Sequence, residues 1–244
     1  MSGSLWLIGG LDPTGGAGVG RDEATAIALA PALPRHVVIT SYTEQGDGRP
    51  ARGHAVAATH LREALAQLDR PLAIKLGLLP ASLVEIVDAT LAEHAAPCVL
   101  DPVLRASDGG DMGASVEALR GLVRRVELVT PNGDEVLAMF GCAPAAVTTA
   151  MLRPWGDAAW LLKDCEPGPR VRDRLLDADG ETSFVRPRVM GPDPRGTGCA
   201  LATAIACGLA GGHSLVAACR DAIAWLDDAR TRVTPGPDGR AHLA

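Results

Sequence analysis

Aromatic residues are scarce in this chain of 244 residues, with two Phe, one Tyr and four Trp making 3% of the total. Platforms that bind single-stranded nucleic acid stack bases on aromatic rings, so the scarcity argues against that class of partner. Positive charge is not in excess either. The 23 Lys and Arg against 29 Asp and Glu leave a net charge of -6, which provides no general field to attract a polyanion, so any phosphate site must be local. The six cysteines, Cys98, Cys142, Cys165, Cys199, Cys207 and Cys219, show no CxxC or CxH pairing. Several stand in apolar runs where a thiol behaves as a small hydrophobe, and the expectation is reduced thiols in a cytosol. No stretch reaches the ~18 uninterrupted apolar residues of a membrane helix, and Met1 to Gly10 has no basic region, so export and membrane insertion are not expected. An internal repeat, a low-complexity block and a convincing linker are also missing. The expectation is therefore one domain over residues 1–244, with a frayed tail from Pro235 to Ala244.

What is present is a succession of short apolar runs alternating with helical stretches, the pattern of βα units around a mostly parallel sheet. The runs predicted as strands are Leu5 to Ile8, Val37 to Thr40, Ala73 to Leu76, Cys98 to Leu100, Glu127 to Val129 and Ala159 to Leu162. Helices are predicted near Asp22 to Ala30 and over Ala55 to Leu68, where His60, Leu61, Ala64, Leu65 and Leu68 share one face. A third is predicted over Ser82 to His94, with Ser82 as N-cap and Leu83, Ile86, Val87 and Leu91 inward. The polar interval Asp164 to Pro194 contains two segments suited to short edge strands, Val171 to Leu176 and Thr182 to Val189. Gly198 to Gly211, nearly all Ala, Leu, Ile and Gly, reads as a buried helix packed closely on its sheet.

Two glycine-rich stretches frame this pattern. Gly9-Gly10-Leu11-Asp12-Pro13-Thr14-Gly15-Gly16-Ala17-Gly18 follows the first strand. Glycines at a strand's carboxyl end permit a sharp turn and close approach of a ligand, and equally permit a plain turn before a helix. The stretch fits neither GxGxxG with its acidic partner nor GxxxxGK[ST]. Asp12 can accept hydrogen bonds from a substrate, although Asp is also a common turn residue. The second stretch, Arg195-Gly196-Thr197-Gly198-Cys199, precedes the apolar helix. Backbone N–H groups at a helix start, with the helix dipole behind them, form an anion hole suited to a transferring phosphoryl group. Arg195 adjoins it as a clamp on a phosphate oxygen. Cys199 at the first turn is placed to have a lowered thiol pKa, or is simply a small residue where helix meets sheet.

Taken in serial order, these pieces resemble the hydroxymethylpyrimidine/phosphomethylpyrimidine kinase family. Gly10 to Gly18 resembles GSDPSGGAG, Val38 to Gln45 resembles VITALTAQ, and Ile74-Lys75-Leu76-Gly77-Leu78-Leu79 resembles VKIGML. Leu100 to Leu104 is similar to LDPVM, Val129 to Glu135 to ITPNxxE, Leu161-Leu162-Lys163 to VLVK, and Gly196 to Cys199 matches GTGC. The resemblance implies an α/β fold, a ribokinase-like three-layer sandwich with a central, mostly parallel sheet flanked by helices.

It also implies ATP- and magnesium-dependent phosphorylation of an aminopyrimidine alcohol or its monophosphate in thiamine biosynthesis, by a homodimer without nucleic-acid or membrane partners. In that reading Cys199 activates the substrate hydroxymethyl group, and Gly196, Thr197 and Gly198 line the phosphoryl site. Asp12, Gly16, Gln45 and Leu78 form the pyrimidine pocket. Lys163, Asn132 and Arg195 face the nucleotide, and Asp101 and Glu135 serve the metal. The sequence departs from the family pattern at Leu78, at Arg195, where histidine is usual, and at Asp164-Cys165, which replaces a glycine pair. A carboxylate there is expected to repel nucleotide phosphates. Two other readings of the same residues are a pyridoxal or pyridoxine kinase, and a non-catalytic pyrimidine-binding protein with weakened ATP binding.

Overall fold

In a computed structural model, residues 3–46, 49–104, 113–191 and 194–243 are described, apart from the side chains of residues 45, 46 and 49–51. The chain starts with strand β1 (Ser4–Leu11), helix α1 (Gly18–Leu29), and strands β2 (Arg35–Gly46) and β3 (Arg49–Ala55). It continues through α2 (Ala58–Ala66), β4 (Pro71–Leu76), α3 (Val84–Ala92), β5 (Cys98–Leu100), α4 (Val116–Val123), β6 (Leu128–Val129), α5 (Gly133–Phe140) and α6 (Thr149–Leu152). The remainder is β7 (Ala159–Leu162), β8 (Arg170–Asp177), β9 (Gly180–Pro187), α7 (Thr197–Ala210), α8 (Leu215–Arg230), β10 (Val233–Pro235) and β11 (Ala241–Leu243).

Nine strands form one sheet in the order β3-β2-β1-β4-β5-β6-β7-β8-β9. The six from β2 to β7 are mutually parallel, and β3, β8 and β9 are antiparallel additions at the edges. Side chains alternate across β1 as strand geometry requires. Trp6 and Ile8 join the core under α2 to α6, whereas Leu5 and Leu7 join the core under α1, α7 and α8. Both faces are thus covered, which is why the central strands read as continuous apolar runs rather than alternating ones. The sparse aromatics are used inside this core. Trp155 and Trp160 stack edge-on at 5.5 Å, with Phe140 5.2 Å from Trp160.

All six predicted strands are present, and the two edge segments pair as the hairpin β8-β9. Four readings need correction. Ala55 belongs to β3 and α2 starts only at Ala58. His60 is exposed rather than turned inward with Leu61 and Leu65. Ser82 does not cap a helix, because a 3-10 turn over Ala81–Leu83 precedes α3, whose N-cap is Leu83. The described part of the carboxyl-terminal tail, to Leu243, is docked rather than loose. β11 pairs with β10, Leu243 is buried in the α7–α8 core, and its carbonyl accepts from Arg21 Nη2 at 2.8 Å. The Arg195 N–H also donates to the Ala241 carbonyl at 2.9 Å. One buried leucine and a few backbone hydrogen bonds hold a segment too short and polar to announce itself by periodicity.

Leu243→Ala tests this docking. Removing a buried leucine side chain costs about 2–4 kcal/mol, which for a chain of this size lowers the melting temperature by roughly 5–10 °C. A calorimetric change below about 1 °C would mean that the tail is undocked in solution.

Candidate active site

The first strand has β2 on one side and β4 on the other, so the chain order reverses there. Open sheets bind ligands beyond the carboxyl ends of their strands at such a switch point. An open cleft of about 1980 Å³ lies there, lined from Gly10 and Asp12 through Lys75, Leu78, Asp101, Asn132, Glu135 and Lys163 to Arg195 and Cys199.

The two glycine-rich stretches meet at the floor of this region. Gly18 has φ +60°, and a methyl group there would stand 2.2 Å from the Gly10 carbonyl oxygen. Gly196, the N-cap of α7, has φ +75°, and a methyl group on it would stand 2.1 Å from the Gly16 carbonyl oxygen. Only glycine fits either position. Gly16 itself is buried under the His242 ring and does not line the cleft. Leu78 packs over Gly10 on the cleft wall, its carbonyl accepting from the Thr40 hydroxyl.

Asp12 is nearly fully buried, accepts from the Thr14 N–H and hydroxyl at 3.0 and 2.9 Å, and pairs with Arg195 at 2.8 Å. The Arg195 guanidinium also faces Asp238 at 3.4 Å, and Asp238 meets His242 at 2.8 Å. Sequence reasoning set Arg195 as a phosphate clamp. Here it fastens the first glycine-rich loop to the carboxyl-terminal turn.

At the start of α7, a methyl group on Gly198 would lie 3.5 Å from an Asp101 carboxylate oxygen and 3.8 Å from Lys163 Nζ. An acidic and a basic side chain therefore flank the free N–H groups of this helix. Asn132 and Glu135 form a capping box at α5, with Glu135 N–H donating to Asn132 Oδ1 at 2.9 Å and Asn132 N–H to Glu135 Oε2 at 2.7 Å. Burial, then the nearby Asp101 carboxylate, pushes the Glu135 carboxyl up to about 7, with Lys163 opposing. Among the described residues no group of three or more His, Cys, Asp or Glu is arranged around a metal-sized space.

Cys199 lines the cleft, but its thiol is not activated in the way its helix position suggests. Burial pushes it up to about 12, with Lys75 opposing and Asp101 and Asp22 reinforcing. Desolvation outweighs the helix start here. The side chain of Gln45 lies outside the described residues.

Sequence reasoning also gave no separate role to Lys75. Its Nζ is fully buried beside Gly77 and donates to Asp22 Oδ2 at 2.7 Å, while Thr203 donates to Asp22 Oδ1 at 2.9 Å. Burial alone would lower the lysine pKa. The attractions of Asp22, Cys199 and Asp101 outweigh it, so the ammonium is held above its ordinary range. A signal was available, because Lys75 and Lys163 are the only lysines in the chain, and one of them interrupts an apolar strand.

Asp164, expected to repel nucleotide phosphates, is joined to an arginine. Its carboxylate accepts from Arg188 Nη1 and Nη2, both at 2.7 Å, and these hydrogen bonds hold it below the usual carboxylate range. The neighbouring Cys165 turns inward, its thiol pushed up to about 11 by burial.

A family model described as "Phosphomethylpyrimidine kinase" matches residues 12–239. The chain is 34% identical over 243 residues to a hydroxymethylpyrimidine/phosphomethylpyrimidine kinase of Streptomyces coelicolor, covering 93% of this chain and 88% of that protein. It is 31% identical over 259 residues to the thiamine biosynthesis multifunctional protein ThiED of Corynebacterium glutamicum, covering 97% of this chain but only 34% of that protein. The chain thus spans about a third of that longer relative. Among solved structures it is similar to the pyridoxal kinase from Staphylococcus aureus in complex with AMP-PCP and pyridoxal, with a TM-score of 0.84 and 20% identity over 100% of this chain and 94% of that one. It is similar also to phosphomethylpyrimidine kinase from Clostridium difficile, with a TM-score of 0.76 and 20% identity over 94% and 100% of the two chains. At such identities these structures speak for the fold, and the ribokinase-like sandwich expected from sequence is the fold observed.

The buried pair under the cleft makes a sharp prediction. Lys75→Met leaves Asp22 as an uncompensated buried charge, at a cost of about 3–5 kcal/mol. Replacing both partners, as Lys75→Met with Asp22→Leu, should recover most of that stability in a denaturant titration. A double variant no more stable than the single one would show that the ion pair is not what matters.

Proposed function

The chain belongs to the phosphomethylpyrimidine kinase family, and from that membership we propose that it transfers the terminal phosphoryl group of ATP to 4-amino-5-hydroxymethyl-2-methylpyrimidine, to its monophosphate, or to both, in thiamine biosynthesis. The observation that carries the reading is the start of α7, where free backbone N–H groups open onto the cleft beside Cys199, Lys163 and Asp101. Phosphoryl transfer asks little covalent chemistry of the protein and much positioning and charge stabilisation. The α7 N–H groups and Lys163 meet the charge that spreads over the transferring oxygens. Leu78 and Gly10 provide an apolar wall for the ring, and the family resemblance gives Gln45 the part of reading its edge. Asp12 orders the loop below that ring through Thr14 and Arg195.

Cys199 takes the hydroxymethyl proton as the oxygen attacks. Its resting thiol is protonated, so it must ionise within the substrate complex, with Lys75 as the nearby cation that favours the thiolate. Asp101, beside the start of α7, and Glu135, in the first turn of α5, both line the cleft and are the hard-oxygen donors that would hold magnesium. Held there with water in the remaining positions, the ion would neutralise donor phosphate charge. In the same reading the protein is a cytoplasmic homodimer without nucleic-acid partners.

Sequence relatives favour the pyrimidine over pyridoxal, and the Arg188 partner of Asp164 offsets the charge that argued for a chain that has lost its nucleotide. A coupled assay should show ADP release that depends on the pyrimidine alcohol and exceeds that with pyridoxal. Cys199→Ala should lower kcat by about 10²- to 10⁴-fold, as expected for loss of a general base. With the thiol at about 12 in the wild type, kcat/KM should climb between pH 7 and 9 without a plateau. Full activity of Cys199→Ala would make the thiol structural, and no pyrimidine-dependent ADP from a protein that binds the pyrimidine would end the kinase reading.

A further inference from the structure

At the end of the cleft beyond Lys163, three acidic side chains are each joined to an arginine. Arg186 lies between Asp173 and Asp227, and Arg188 grips Asp164. The two arrangements differ in kind. Asp173 is almost completely buried and also accepts the Asp164 N–H at 2.7 Å, so its link to Arg186 belongs to the framework. The Asp164–Arg188 pair is open, with side chains 48% and 31% exposed, and both residues line the cleft.

Asp164 also has φ +49°, the one non-glycine residue with positive φ among the described residues. A β-carbon in that region is unfavourable, so the chain holds a carboxylate where a glycine would rest more easily. The side chain of Arg188 is anchored by its stem. Nε donates to the Gly168 carbonyl at 2.8 Å, and the Arg188 N–H donates to the Pro169 carbonyl at 2.9 Å. Only the two terminal nitrogens go to Asp164, in the two-pronged geometry that matches a carboxylate and a phosphate equally well. Asp164 directly follows Lys163, whose ammonium stands at the start of α7.

We propose that Arg188 is a ligand for the phosphate chain of the nucleotide, and that Asp164 holds its guanidinium in the bound orientation until the nucleotide displaces the carboxylate. This rests on the kinase reading above. A donor carrying several negative charges outcompetes a single exposed carboxylate for the same fork, and because both side chains of the pair are already partly exposed the exchange requires little new desolvation. Asp164 therefore acts as an internal competitor. It weakens nucleotide affinity while keeping Arg188 from folding back onto other acidic groups of the cleft. The pair determines how tightly the donor binds, and it takes no part in the chemistry at Cys199.

The test is calorimetric titration of the full chain with ADP, alongside the steady-state KM for ATP. Arg188→Ala should weaken ADP by about tenfold or more, the scale of losing a hydrogen-bonded charged partner. The loss should fall on the KM for ATP rather than on that for the alcohol. Asp164→Gly, which suits the positive φ, and Asp164→Asn should both tighten ADP, by about threefold or more if the internal competition is real. A purely structural pair predicts the opposite sign, with weaker or unchanged binding when Asp164 is removed. Unchanged ADP affinity in Arg188→Ala, or no tightening in either folded Asp164 variant, would overturn the proposal and leave the kinase reading intact. Failure of the wild type to bind ADP would overturn both.

Discussion

The ion pair between Lys75 and Asp22, closed by the Thr203 hydroxyl, joins the three elements that carry the candidate site. Lys75 comes from the end of β4, Asp22 from the first turns of α1 after one glycine-rich loop, and Thr203 from the second turn of α7 after the other. Burial raises the Asp22 carboxyl as it would any isolated acid. The 2.7 Å contact to Lys75 and the 2.9 Å contact to Thr203 satisfy one oxygen each, which is the condition under which an ionised pair is tolerated inside a protein. Such a pair contributes little net stability compared with an apolar filling of the same volume. What it does supply is a fixed positive charge below Cys199 and a fixed distance between two loops that have few side chains of their own.

That distance is so short that backbone meets backbone. Gly18 lies against Gly10 and Gly196 against Gly16, while Gly77 leaves space for the Lys75 ammonium. The turns cannot carry side chains and still bring the start of α7 to the carboxyl end of β1. The contacts therefore explain why the glycine content of the chain gathers at these two places. The Asp12–Arg195–Asp238 connection adds the carboxyl-terminal turn to the same assembly. A segment that reads as a loose end thus closes one side of the cleft.

Much of this was legible in sequence for a physical reason. Strands buried on both faces are short apolar runs whatever their partners, so β1, β4, β5 and β7 stood out, and so did α7 with its alanine-rich face. The glycine-rich turns and their serial order located the site. Features decided by long-range contact stayed hidden. The docking of Leu243 depends on a pocket made by α7 and α8, and the partners of Arg195 lie 183 residues before it and 43 after it. The thiol of Cys199 sits at a helix start, which argues for a low pKa, but burial is a property of the whole fold and it prevails. Asp164 read as a repulsive charge because Arg188 is 24 residues away, across the β8–β9 hairpin.

The charge arrangement around the cleft follows a common rule with one exception. Asp12, Asp164, Asp173 and Asp227 are each joined to an arginine, with Asp173 and Asp227 sharing Arg186, so three arginines offset most of this acidic charge. Among the described residues no arginine is recorded against Asp101 or Glu135. Burial, then the Asp101 carboxylate, pushes the Glu135 carboxyl toward its neutral form, with Lys163 opposing. Asp101 and Lys163 both stand beside the start of α7, so an acid, a cation and the positive end of the helix dipole share one corner of the cleft.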